Sequence, residues 1–567
     1  MLIVQLLIIS ISALWVRVLI QTTSAGGSIS ASNERLANYM LFFHQDLPVA
    51  SVVSIFSLGI LVLLWRGWQP RWATPTRALG WRGPALVAAF TFGACLIAGL
   101  YAHLGFDSAL DEFMPAFQAR IFAAGWLLAP IDPQWEPFAK ALQPLFVHFD
   151  EARGLWASAY RPVHAMLRAA ALLLGAEQIL NPVLAAGSVL LMAHVVQRVF
   201  PDRAEAPLLA AVLLASSPQV IFMAASGYSF AAHLFFSLLW LSLFLRGDLV
   251  GHAAAALVGA IAIGMHQVHV HPLFAAPFLL AHLFGHYGRS LASLACYAVA
   301  YGIALPAWIA WPEIATAIQT RDLSVLPLSL RDTAYLRNYA EFSGELRQQW
   351  KYLVLPEMST NLLRLAAWIS PALLMLSLLA LRRMRDLPLT VRLAGLGFVL
   401  MVAAHAVLMP YQFQGWGYRY VHPVLGNLVL LAVAAFPRAG PDRAKASVAT
   451  VALVGLSLLV LMPWRFLQVE ERIRPRAEAA AFIERLDAEV VLVDVSDIWF
   501  GVDLVHNDPF LRNRPLIMAA PVLSEALRAA LQERRVVVVR PADLVPFGLG
   551  SGSWVEPVRQ PTKHERR

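Results

Sequence analysis

Apolar runs of about 20 residues recur along most of this 567-residue chain, and no other feature restricts its fold as strongly. They lie near residues 3–20, 49–65, 84–102, 180–199, 206–224, 228–245, 251–266, 270–285, 290–310, 363–381, 390–409, 423–437 and 444–463. Each approaches the length that an α-helix takes to cross the hydrocarbon core of a bilayer. In lipid, every backbone N–H and C=O must find its partner inside the protein, so such runs are spanning helices. Composition agrees, because only 14% of residues are charged, against about 25% in soluble domains. The sequence predicts a polytopic α-helical membrane protein with about thirteen spans.

The net charge of +8 is not a nucleic-acid signal, because the arginines fall in short clusters between apolar runs. That pattern encodes topology. One set of short connections holds Arg66, Arg71, Arg77 and Arg82, then Arg198, Arg203, Arg246 and Arg289. It continues with Arg382, Arg383, Arg385 and Arg392, then Arg438, Arg443 and Lys445. The opposite set offers little beyond Arg35 and Arg419. The first set is therefore expected in the cytoplasm, which places residues 103–179, 311–362, 410–422 and the tail after 464 outside. Two cysteines, Cys95 and Cys296, both inside apolar runs, exclude a disulfide framework and a cysteine-based zinc site. The first span lacks a basic leader and reads as an anchor rather than a signal peptide.

The outward segments are too long to be plain connectors. Residues 103–179 are rich in aromatics and proline and include an amphipathic piece from Tyr160 to Leu174, suited to the interface. Residues 311–362 mix charge with Tyr335, Tyr339, Trp350 and Tyr352. The tail alternates a helix at 478–486, a strand VVLVDV at 490–495, a helix at 523–532 and a strand VVVV at 536–539. That alternation predicts a small C-terminal α/β domain outside the membrane. Its GLGSGS, 548–553, lacks the lysine of a phosphate loop.

Three polar clusters fall at the outer ends of spans. Asp111 and Glu112 follow an apolar run within an aromatic loop, where carboxylates are costly and invite a functional reading. A plain interfacial loop with water-facing carboxylates would look the same locally. MHQVHVHP carries His266, His269 and His271; the first two share a helical face, and His271 joins them only if the helix breaks before Pro272. With one or two carboxylates these imidazoles can hold a divalent metal. Their spacing matches no zinc motif, so they are assigned to the lining of a ligand phosphate site, with no cofactor assigned and a divalent metal left open. YQFQGWGYRYVHP sets Arg419 and His422 among aromatics, with Gly415 and Gly417 allowing close approach. Arginine suits forked bonding of a phosphate. Arg120 and Arg161 are further candidates for that role, whereas Ser226 and Tyr228 read as structural turn residues. No G-x-S-x-G nucleophile elbow is present.

DEFMPAFQARIFAAGWLLAP, NPVLAAGSVLLMAHVVQRVF, LLAAVLLASSPQVIFMAASGYS and GWGYRYVHPVLG together resemble segments of the GT-C membrane glycosyltransferases. The nearest likeness is the bacterial branch similar to protein mannosyltransferases and the aminoarabinose transferase of lipid A. The resemblance covers about residues 84–463; two extra spans and a cytoplasmic loop precede it in 1–83, and the α/β domain of 464–567 follows. HQVHVHP stands where relatives often show Arg-Pro or Lys-Gly. The resemblance implies transfer of a sugar from a polyprenyl-phosphate carrier to a glycan, lipid or protein acceptor. It implies Asp111 as base toward the acceptor, Glu112 as the adjacent acidic position and Arg419 as phosphate partner. It also implies a multi-pass protein of the bacterial inner membrane with its active site outside. The other function class is a transporter or flippase of lipid-linked glycans, which would place ionisable residues near the bilayer midplane rather than at span ends.

Overall fold

A computed structural model describes residues 42–66, 80–288, 290–412, 414–496, 498 and 500–549. The span expected at 3–20 and most of the 548–553 loop lie outside them, as do the side chains of Trp350 and Tyr352. From residue 49 onward, every expected span coincides with a helix or a helix pair. Among the described residues, six helices are long and apolar enough to cross a bilayer, and two bent pairs bring the number to eight. Four other expected spans are shorter apolar helices, Phe230–Phe244, Leu249–Ile263, Val270–Leu283 and Arg419–Ala435. The chain is a multi-pass helical membrane protein.

Both bent pairs break at Ser-Pro. Ala206–Ala215 meets Pro218–Ala224 at 63°, and Val354–Trp368 meets Pro371–Asp386 at 117°. Proline cannot donate to the helical ladder and pushes its predecessor out of helical geometry. Ser217 and Ser370 accordingly have ψ of 115° and 128°. Both are buried, and the Ser370 N–H, left over by its own break, donates to Ser217 Oγ at 3.1 Å. The straight span expected at 363–381 is thus two helices. Its first turn ends a 35-residue helix, Ala334–Trp368, which also takes up much of the stretch read as an outward loop. Good helix formers such as Glu345, Leu346, Arg347 and Gln348 favour that outcome.

The helix Leu47–Trp65, the second of the extra N-terminal spans, is tied in by Asp46. This buried carboxylate pairs with Arg364 at 2.9 Å and Arg465 at 3.1 Å, and accepts from Trp368 Nε1 at 2.6 Å. Removing one partner of a buried ion cluster leaves uncompensated charge. Asp46→Ala should therefore cost about 3–5 kcal/mol, read as a lowered Tm of the purified protein. An unchanged Tm would show that the cluster is not needed to hold this helix.

Residues 103–179 fold into the helix Leu110–Ala123, an antiparallel sheet and the helix Val163–Leu173. The sheet has the order β1-β3-β2, with β1 Ala129–Pro130, β2 Val147–Asp150 and β3 Leu155–Ser158. The last membrane helix runs out of the bundle as Met462–Glu484 and leads into a parallel sheet of order β5-β4-β6. Its strands are β4 Val490–Val493, β5 Leu516–Ala519 and β6 Val536–Val539, with Val491 in register with Ile517 and Val537. The expected strands at 490 and 536 are present. The helix expected at 523–532 is confined to Glu525–Ala529, and β5 is an addition.

The two faces of this sheet pack differently. Val491, Val493 and Ile517 cover Ala479 and Ile483 of the long helix. Val490, Leu492, Leu516 and Met518 share one core with Leu110, Phe113, Phe117 and Trp156 of the 103–179 segment. Burial on both faces explains the uninterrupted VVLV run. The tail is therefore fused through its core to the loop that carries Asp111.

Candidate active site

The helix Leu110–Ala123 carries both acidic candidates in its first turn, where the helix dipole favours negative charge. Consecutive helical residues point about 100° apart, so the two carboxylates diverge. Asp111 is 8% exposed. Its Oδ2 accepts from Arg419 Nη1 at 2.7 Å, and its Oδ1 from the Tyr228 hydroxyl at 3.0 Å. These bonds join parts of the chain 308 and 117 positions apart.

Arg419 is 4% exposed and stands among the rings of Tyr228, Phe230 and Tyr420 at 5.2, 5.8 and 5.3 Å, a setting that favours a cation. Its Nε has no hydrogen-bond partner among the described residues. A buried donor without an acceptor is a cost that an incoming anion would remove. Both glycines before it are required. A Cβ at Gly415 would lie 2.7 Å from Arg419 Cδ, and one at Gly417, where φ is +66°, would lie 2.4 Å from Gln219 Oε1. The close approach anticipated for Gly415 is therefore to the side chain of Arg419 itself. Arg364 fixes this loop by donating to the Gly415 carbonyl at 2.9 Å, and Gln412 accepts from the Arg419 N–H at 3.0 Å.

Asp111 and Arg419 line a cavity of about 270 Å³ together with Arg161, His266, His269 and Tyr335. The rest of its wall includes Phe146, Pro312 and Met409. His266 and His269 lie in the turn between the helices Leu249–Ile263 and Val270–Leu283, not on one helical face. That turn sends His271 elsewhere. Its Nε2 meets the Tyr301 hydroxyl at 2.8 Å beside Trp240, in the helical core. His422 is buried outside the cavity lining. Arg120 is exposed, its guanidinium 5.9 Å from the Phe113 ring, and it too lies away from Asp111. Arg161 reaches the cavity with most of its donors engaged by the carbonyls of Ala159, Trp308 and Ile309. Burial lowers its pKa to about 10. Among the described residues, no group of three or more His, Cys, Asp or Glu is placed to hold a metal ion.

Glu112 faces a second cavity, of about 140 Å³, with Asp107, Arg168 and Glu177. Its oxygens accept from the Ser108 N–H and hydroxyl at 3.0 and 3.2 Å and from the Gly227 N–H at 2.9 Å. Burial, and then Asp107 beside it, push its carboxyl up to about 8. A carboxyl that holds its proton more tightly when folded stabilises the fold at low pH, and that contribution is lost as pH rises from about 4.5 through about 8. Glu112→Gln should flatten the decline of Tm across this window. A slope equal to that of the unaltered protein would place the titration elsewhere.

Tyr228 and Asp503 belong to the site and escape the sequence reading. Tyr228 sits in a turn that looks purely structural, and nothing near Asp503 distinguishes it locally. Its carboxylate accepts from the Leu110 N–H at 2.8 Å, across 393 positions.

No protein-family profile matches this chain, and no curated protein does either. Among solved structures, it is similar to ArnT from Cupriavidus metallidurans in the apo state, at 14% identity and a TM-score of 0.45, over 81% of this chain and 89% of that one. It is also similar to ArnT from the same organism bound to undecaprenyl phosphate, at 17% identity and a TM-score of 0.44, over 75% of this chain and 84% of that one.

Proposed function

We propose that the protein is an integral-membrane glycosyltransferase of the GT-C kind, which moves a sugar from a polyprenyl-phosphate carrier to an acceptor outside the cytoplasm. The observation that carries this reading is the buried Asp111–Arg419 pair in the wall of a partly apolar cavity. A hydroxyl acceptor is a weak nucleophile. Asp111, within reach of it, takes its proton as the acceptor oxygen bonds to the sugar C1. The bond from C1 to the phosphate oxygen breaks, and its electron pair leaves with the lipid phosphate. Arg419, in the wall of the cavity, supplies the positive charge opposite that growing negative charge. As the phosphate draws on the guanidinium, the hold of Arg419 on Asp111 weakens, and the carboxylate becomes freer to accept the proton. His266 and His269 line the same space and complete the phosphate side. Glu112, engaged by Ser108 and Gly227, shapes the turn. Apolar walls keep water away from C1 and favour transfer over hydrolysis.

The test is reconstitution with undecaprenyl-phosphate-linked pentoses and hexoses and cell-envelope lipid as acceptor. Acceptor-dependent release of undecaprenyl phosphate is expected. Release no faster than in protein-free vesicles across the panel would overturn the reading. Movement of the intact donor between leaflets without its consumption would favour a flippase.

The same reading requires an outward-facing site. Reporter fusions after Arg385 and Arg443 should register as cytoplasmic, and fusions after Asp150 and Glu484 as external. A cytoplasmic signal at Asp150 would put Asp111 on the wrong side for this donor.

A further inference from the structure

Asp503 is 5% exposed, and the chemistry above makes no use of it. The helix that carries Asp111 starts on Ala109, whose methyl group cannot cap it. The four leading N–H groups of a helix need outside acceptors. One acceptor comes from the C-terminal domain, as Asp503 Oδ1 takes the Leu110 N–H at 2.8 Å. The other oxygen, Oδ2, takes the side-chain amide of Gln414, in the loop that carries Arg419. Gln414 is held in turn by Arg472, which donates to its Oε1 at 3.1 Å. One carboxylate thus bridges the segment bearing Asp111 and the segment bearing Arg419. Its neighbours clamp the same surface. The His506 ring stacks on Phe113 with centroids 4.3 Å apart and planes at 6°, and Trp156 Nε1 donates to the Pro509 carbonyl at 2.8 Å.

We propose that Asp503 is a positioning residue for transfer, holding Asp111 and Arg419 in register from the extracytoplasmic domain. This rests on reading Asp111 as base and Arg419 as phosphate partner. The bridge matters because reacting groups displaced by about 1 Å can lose about 10²-fold in rate. A domain that docked only for stability would not need a carboxylate shared between these two segments.

The full-length protein in lipid nanodiscs supplies the test. Asp503→Asn keeps the size and one acceptor oxygen. It should lower kcat for undecaprenyl phosphate release about 10–100-fold, with KM little changed. In an Asp111→Asn background the same substitution should add almost nothing, because residues acting as a unit are not additive. Gln414→Met, which removes the bonds of Gln414 to Asp503 and Arg472 but leaves the one from Leu110 to Asp503, should cause a smaller loss of kcat. Amide exchange should speed up together in peptides spanning 106–118 and 414–422, and stay unchanged in β4 and β6. Equal rate losses in both backgrounds, or unchanged exchange in the two loops, would overturn the proposal. Should Asp111→Asn retain transfer, the reading of Asp111 fails, and exchange in the loops still decides whether Asp503 holds them together.

Discussion

Asp111→Asn is expected to lower transfer by about two to four orders of magnitude, the usual range for a lost general base. The amide keeps the shape of the side chain and can still accept from Tyr228 or Arg419, but it cannot take the acceptor's proton. A second consequence separates this role from a packing role. Arg419 loses its counter-ion in a site where it is 4% exposed, and an unpaired buried cation is costly. A lipid phosphate can then serve as the missing partner. Asp111→Asn should therefore bind undecaprenyl phosphate more tightly than the unaltered protein while transferring almost nothing. Transfer rates and lipid-dependent shifts in Tm read the two effects separately. Near-normal transfer would remove Asp111 as the base, and weaker lipid binding would remove the competition between carboxylate and phosphate.

Arg419→Met should cost about 10²–10³-fold in transfer, the magnitude seen when a preorganised donor to developing negative charge is deleted. Arg419→Lys should recover only part of that loss. Lysine retains the charge but presents a point rather than a fork. The loop is shaped around arginine, with Gly415 leaving room for the Arg419 Cδ and with three aromatic rings placed about the guanidinium. Undecaprenyl phosphate binding should weaken in both variants, opposite in sign to Asp111→Asn. Retention of full transfer by Arg419→Met would assign the leaving phosphate to another group, with Arg161 and His266 next in line on the cavity wall.

The site was legible in part from local chemistry. Asp111 and Arg419 stand out because charged groups at span ends are expensive and need a reason. Their neighbours in sequence proved poor guides. Glu112 is adjacent to Asp111 but turns to a different cavity. His271 lies two residues from His269 but bonds Tyr301 in the core. The lone break that the sequence reading allowed before Pro272 occurs earlier, as a turn between two helices. Side-chain direction depends on where each helix starts, and the sequence signals for helix ends are weak.

By itself the sequence determined what depends on short-range physics. Spanning helices follow from apolar runs whose backbone must be bonded internally, and β4 and β6 follow from valine-rich runs with strand propensity. The Ser-Pro breaks follow from proline, though their angles of 63° and 117° do not. The tertiary structure alone decided which distant pieces meet. LIMA at 516–519 becomes a strand because pairing with β4 buries it, although only Ile517 among its residues has a strong strand preference. Tyr228 and Asp503 join the site through contacts 117 and 393 positions apart. Such contacts are set by how many weakly directional apolar surfaces pack at once, and no local pattern of residues records that outcome.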